Sequence, residues 1–252
     1  MSVNDPDPQE ALGATPPAAA RPQGFLGRLY REEWTAWRTH YRKYFKYAAR
    51  ALGFGFIAGF LYFTLWPVQE KKALEFVVKA LKDIRLDEPP LALALTLFYH
   101  NARASVLAVA AGAFPFLFLP ILDPVMNGAV LGLLSSISKH QGLNVPHLIL
   151  TQILPHGVFE LTAVLYATSV GLYLSAGMGK RALAAWRKRR TRRQGQPPPP
   201  VGPANFLETY PERSEAQNES LAGNVFRSFF LVVLPLLLVA AFIEAFITPH
   251  LG

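Results

Sequence analysis

Long apolar runs separated by short polar links dominate this chain. The first apolar run, residues 51–66, follows FLGRLYREEWTAWRTHYRKYFKYAAR, where aromatic and basic residues recur at helical spacing. Phe25, Leu29, Trp34, Trp37, Tyr41 and Phe45 share a broad face there. That pattern predicts an interfacial helix over 25–50, with aromatics at headgroup level and Arg/Lys toward anionic lipid. In QEKKALEFVVKALKDIR, Leu74, Val77, Val78, Leu81 and Ile84 follow an i, i+3, i+4, i+7 stripe, predicting an amphipathic helix over 69–85. Pro89 and Pro90 suit the first turn of a second run, from about Leu91 to Leu119. Pro115, Pro120 and Pro124 then break the chain ahead of a short third run, 125–138, whose length allows either a crossing or a re-entrant dip. The fourth run covers about 147–176 and is interrupted at Pro155; the fifth covers 226–250.

A membrane helix needs about 20 mostly apolar residues, so the pattern predicts an all-α, polytopic membrane bundle of about five spans. Composition agrees: of 252 residues, 51% are hydrophobic and 17% charged, an uneven and low share for a water-soluble domain. The chain has no Cys, which removes disulfides and thiolate metal sites. Its start carries acids and prolines without a basic n-region, so the first span is expected to be an uncleaved anchor. Residues 1–24 read as a disordered tail.

Charge placement sets the expected orientation. Eight Arg/Lys precede the first span, eight more fall in GKRALAAWRKRRTRR after the fourth, and the 67–90 loop is neutral. With five crossings both basic groups share one side, giving a cytoplasmic N-terminus and an exoplasmic C-terminus. The domain reading is therefore a tail (1–24), an interfacial helix (25–50), a membrane unit (51–178), a basic helix with a Pro-rich cytoplasmic linker (179–224) and a final span (225–252). RKRRTRR directly after a span reads as a topology determinant and anionic-lipid contact, not a nucleic-acid site. Gly55-x-x-x-Gly59 and Gly128-x-x-x-Gly132 permit close helix packing.

Ionisable groups at membrane depth are few: His100, Arg103, Asp123, His156, Glu160 and Glu244, with His250 at the outer edge. At about 1.5 Å per residue, His100, Asn101, Arg103, His156, Glu160 and Glu244 fall within one layer of the outer half, and Asp123 at the opposite end. Such groups pair or line a wet cavity. The simplest expectation is that Arg103 neutralises Glu160 or Glu244 while His156 hydrogen-bonds backbone or carboxylate. A cavity binding a polar substrate or lipid headgroup is the first alternative. A metal clamp of His156 and Glu160 at i, i+4, completed by His100, Glu244 or His250, is the second, and it lacks the second His of HExxH.

In order along the chain, Asn101 with Gly112, NGAVLG (Asn127, Gly128 to Gly132), PHGVFELTA (Pro155, His156, Gly157, Glu160 to Ala163), Gly171 and IEAFITP (Glu244, Thr248, Pro249) stand out. Over residues 95–250 they resemble the stage II sporulation protein M family of bacterial integral membrane proteins. The resemblance implies a multi-pass protein with no recognised catalytic activity and no cofactor. Its namesake anchors two peptidoglycan-degrading partners, the D and P proteins, during engulfment in spore formers; relatives also occur in bacteria that make no spores. The basic run, long tail and Pro-rich linker depart from the namesake pattern. The expectation is a scaffold for peptidoglycan-remodelling envelope machinery with the bilayer and hydrolases as partners. The helix at 69–85 is its docking face, and the oligomeric state is open.

Overall fold

The computed structural model describes residues 24–80, 89–193 and 221–250, and every regular element among them is helical. These are α1 (Phe25–Ala36), α2 (Arg42–Leu65), α3 (Pro67–Ala80), α4 (Pro90–Ala111), α5 (Leu122–His140), α6 (Val145–Leu148), α7 (Leu154–Arg193), α8 (221–228) and α9 (Leu234–Phe246). Widened π turns join α1 to α2 at Trp37–Tyr41, α6 to α7 at Ile149–Ile153, and α8 to α9 at Phe229–Val233. Two of them directly precede a proline at the second position of the next helix, Pro155 and Pro235. Proline has no N–H and clashes with the carbonyl one turn back, so a local π turn lets the helix continue instead of ending. The interruption expected at Pro155 is therefore a change of pitch within one helical run.

Among the described residues, four helices are long and apolar enough to cross a membrane: Phe25–Leu65, Leu119–His140, Leu154–Arg190 and Leu221–His250. The second predicted run is the exception. It forms α4, but polar His100, Asn101 and Arg103 at its centre dilute its hydropathy, and it stops at Ala111 instead of Leu119. After Ala111 the chain turns through Phe116 and Phe118, both with positive φ (72° and 47°). Pro120 lies in a 3-10 turn, and Pro124 is accommodated in the first turn of α5, where its missing N–H has no helical partner to lose. The third run is consequently a 19-residue helix, longer than the 125–138 segment expected.

Two packing units organise the bundle. In the first, α2 and α5 run side by side in the same direction with their glycines interlocked. A Cβ on Gly59 would lie 2.8 Å from the Ala129 carbonyl oxygen, and one on Gly132 would lie 2.5 Å from the Phe60 nitrogen. Gly55 likewise faces Val125, and Gly128 faces Leu52. The two GxxxG motifs thus meet each other. In the second unit, α4 and α7 run together and α9 runs against them. Gly112 of α4 packs on Gly171 of α7, while Leu93 and Ala94 of α4 pack with Ala245 of α9.

The N-terminal helix also differs from its expected role. Phe25 and Trp34 are 67% and 61% exposed, so they do not share a face with Tyr41, which is fully buried. The packed face instead carries Glu33, Ala36, Tyr41 and Ala48, with Trp37 stacked on Tyr166 of α7 at 5.4 Å. α1 and α2 form one rod gripping the bundle. α3 starts at Pro67 and covers 69–80 of the predicted amphipathic helix; Leu81 and Ile84 lie outside the described residues. Residues 1–23 and the Pro-rich stretch 194–220 also lie outside them, while the basic run continues α7 without a break to Arg193.

Candidate functional site

The polar layer expected from the sequence is assembled from three helices. Asn101 of α4 hydrogen-bonds the Glu160 carboxylate of α7, which is in electrostatic reach of His156 and Glu244. One turn along α7, His156 Nδ1 meets the Glu244 carboxylate of α9 as an ion pair. Thr248, in the 3-10 turn after α9, places its Oγ1 3.5 Å from the same His156 nitrogen and donates to the Ile243 carbonyl at 3.4 Å. A Cβ on Gly157 would have only the Ile153 side chain nearby, at 3.5 Å, so this glycine is not a close-approach point.

Two members of the predicted layer, Arg103 and His100, take other positions, and Asp123, excluded from it, lies near it. Arg103 is exposed and, among the described residues, pairs with neither Glu160 nor Glu244; His156 supplies the positive partner instead. The reason is register: Asn101 and Arg103 are two residues apart, roughly 200° around a helix, so both cannot face α7. His100 sets its ring against Tyr99 at 5.9 Å. Asp123, assigned to the opposite end, is close enough to Glu160 for the two carboxylates to act on each other electrostatically. Its Oδ1 accepts from the Asn127 amide at 3.2 Å, and its other oxygen is buried without a hydrogen-bond partner.

Two polar centres were not anticipated. Glu33 is 4% exposed and accepts from the Tyr166 hydroxyl (2.6 Å), Ser228 Oγ (2.7 Å) and Arg227 Nε (3.1 Å), tying α1 to α7 and α8. The available signal was that Glu32 and Glu33 are the only acids between residues 25 and 65. Glu70 of α3 is also buried; it accepts from Ser136 Oγ at 2.5 Å and pairs with His140 Nδ1 at 3.0 Å, both on α5. The loop containing Glu70 read only as charge-neutral, because its partners lie more than 60 residues away.

Neither of two cavities is lined by the polar layer. One of about 360 Å³ lies between Arg31, Glu32, Thr39 and Arg227; the other, about 240 Å³, is lined by Phe56, Leu131, Ile153 and Val158 among others. Among the described residues, no group of three His, Cys, Asp or Glu is arranged to hold a metal ion.

A family model described as Stage II sporulation protein M matches residues 34–249, most of the chain. The chain belongs to the stage II sporulation protein M family. No curated protein and no solved structure matches it. The motifs that carried the resemblance to the sporulation M family are brought together in space. Asn101 meets Glu160, Gly112 meets Gly171, His156 meets Glu244 and Thr248, and Gly128 and Gly132 seat α5 on α2. Pro155 shapes the π turn and Pro249 the closing 3-10 turn. Each signature piece joins two helices.

Proposed function

We propose that this sporulation M family member is a non-enzymatic scaffold of the bacterial inner membrane that anchors peptidoglycan-remodelling envelope proteins. It crosses five times, with α4 as the crossing additional to the four most apolar helices. α4 lies against both α7 and α9 along its length, and a helix so placed shares their depth. The N-terminus is cytoplasmic and the C-terminus exoplasmic, in keeping with the basic residues before the first span and at the end of α7.

The observation that carries this reading is the signature itself. Asn101, Gly112, Gly128, Gly132, His156, Glu160, Gly171, Glu244 and Thr248 are engaged with one another or with a neighbouring helix, as a frame requires, and line neither cavity. A transporter or lipid-handling protein built on this layer needs Arg103, Glu160 and Glu244 around one opening. Arg103 instead points away, which weighs against that reading.

On the exoplasmic side, α3 is fastened through Glu70 and presents Val68, Phe76 and Val78, which are 66%, 70% and 55% exposed. A rigidly held helix with bare apolar residues is a suitable docking face. In vivo crosslinking followed by affinity purification should recover peptidoglycan hydrolases or their regulators. Recovery of none, under conditions that trap other envelope complexes, contradicts the scaffold role.

A further inference from the structure

The larger cavity, about 360 Å³, lies where the N-terminal rod meets α8. Arg31, Thr35 and Thr39, spaced i, i+4 and i+8, line it together with His40. Thr39 and His40 belong to the π turn Trp37–Tyr41, and such turns recur at functional sites. Asn224 and Arg227 of α8 complete the wall. Two neighbouring spans fix its depth. His40 stacks at 5.0 Å on Tyr173, near the end of the fourth apolar run, and Arg227 is the second residue of the fifth. The cavity therefore lies at headgroup level, on the cytoplasmic side in the proposed orientation.

The wall has a surplus of nitrogen donors. The threonine hydroxyls are already spent, Thr35 Oγ1 on the Arg31 carbonyl (2.9 Å) and Thr39 Oγ1 on the Thr35 carbonyl (2.7 Å). Arg227 is held by three bonds, from Nε to Glu33 (3.1 Å), Nη1 to Glu32 (2.9 Å) and Nη2 to Asn224 (2.8 Å). A guanidinium has five N–H groups, so this one keeps two more in a fixed orientation. Arg31 is exposed and joins no ion pair among the described residues. One carboxylate, Glu32, shares the cavity; Glu33 is buried and does not line it. Two guanidiniums and an imidazole thus face a single acid, and a guanidinium fork matches a pair of phosphate oxygens.

We propose that this cavity binds a phosphate group carried by the headgroup of a phospholipid in the adjoining leaflet, with Arg227 as the fixed donor and Arg31 closing onto it. Basic pockets between membrane helices are suited to lipid headgroups. A soluble phosphate compound is the other source of the same chemistry. The inference goes beyond the scaffold role and does not depend on it. It needs only that α7 and α9 cross, and both belong to helices long and apolar enough to do so.

Native mass spectrometry of the full chain, delipidated in detergent and titrated with phosphatidylglycerol, should show one lipid held more tightly than those that follow. Arg31→Gln should weaken that first site by about tenfold or more, the loss expected for a charge-assisted hydrogen bond. The Arg31 side chain bonds to no other described residue, so this variant should fold. Arg38→Gln, which removes the same charge from an exposed position outside the cavity, should leave the site unchanged. Thr35→Trp, which fills the cavity and keeps both arginines, should weaken it as Arg31→Gln does. Millimolar inorganic phosphate then assigns the source. If it does not displace the lipid, the headgroup supplies the phosphate; if it does, a soluble phosphate compound competes for the same site. Either result upholds the site. A first lipid held no more tightly than the rest overturns the proposal. So does diacylglycerol binding as tightly as phosphatidylglycerol, or an equal loss in Arg31→Gln and Arg38→Gln. None of these results bears on which envelope proteins the chain anchors, so the site and the scaffold role fail separately.

Discussion

Gly128→Ala is the sharpest perturbation of the bundle, because the added methyl group has no flexible neighbour to push aside. It would press on the Leu52 carbonyl and lie 2.7 Å from the Phe56 nitrogen, both backbone atoms of α2. Relief requires the two helices to separate over their whole interlocked length, since Gly55, Gly59 and Gly132 are seated on the same seam. Overpacking of this kind costs about 2 kcal/mol. At roughly 3 °C per kcal/mol for a chain of this size, Tm should fall by about 6 °C. Gly53→Ala is the matched control: it is in α2, the helix on which Gly128 is seated, but nothing lies within 4 Å of its Cβ position. There the gain in helix propensity, up to about 1 kcal/mol, should leave stability unchanged or raised. The four tryptophans report unfolding in detergent without a thiol probe. A Gly128→Ala protein as stable as wild type, or a Gly53→Ala protein as unstable as Gly128→Ala, would refute the interlocked-glycine account.

The other polar centres give further expectations. Glu33→Ala should cost about 3 kcal/mol by leaving Arg227 and two hydroxyls facing a void, and should expose Arg28 and Arg31 to trypsin in limited digestion. Tyr166→Phe, which removes one of the same hydrogen bonds, should cost only about 1 kcal/mol. Glu160→Gln should lower yield or thermal stability; unchanged stability with a lost cellular phenotype would instead point to a ligand at this layer. Elemental analysis of protein purified without chelator should find no stoichiometric metal; one metal per chain would reopen the His156–Glu160 clamp.

The helical class and the membrane character were legible because long apolar runs bounded by Pro and basic clusters have few other solutions in water or lipid. The signature pieces were legible too, and so was the layer joining His156, Glu160 and Glu244, because depth along a helix follows from counting residues. Facing was harder. Depth alone grouped Arg103 with Asn101, although the helical repeat turns them in opposite directions. The extent of α5 was obscured by reading Pro124 as a breaker when it occupies a first turn. Glu33 and Glu70 were missed because their burial depends on hydroxyls and bases from distant segments, Tyr166 and Ser228 in one case and Ser136 and His140 in the other. Sequence spacing records what shares a helix face; it does not record which remote helix will cover it.

The scaffold role is tested most directly by a photo-crosslinking amino acid at Phe76, on the bare face of α3, compared with the same residue at Ile57 on the lipid-facing side of α2. In growing cells, the account predicts protein adducts at Phe76 that include peptidoglycan-remodelling enzymes or their regulators, and lipid adducts alone at Ile57. Identical lipid-only adducts at both positions would contradict it.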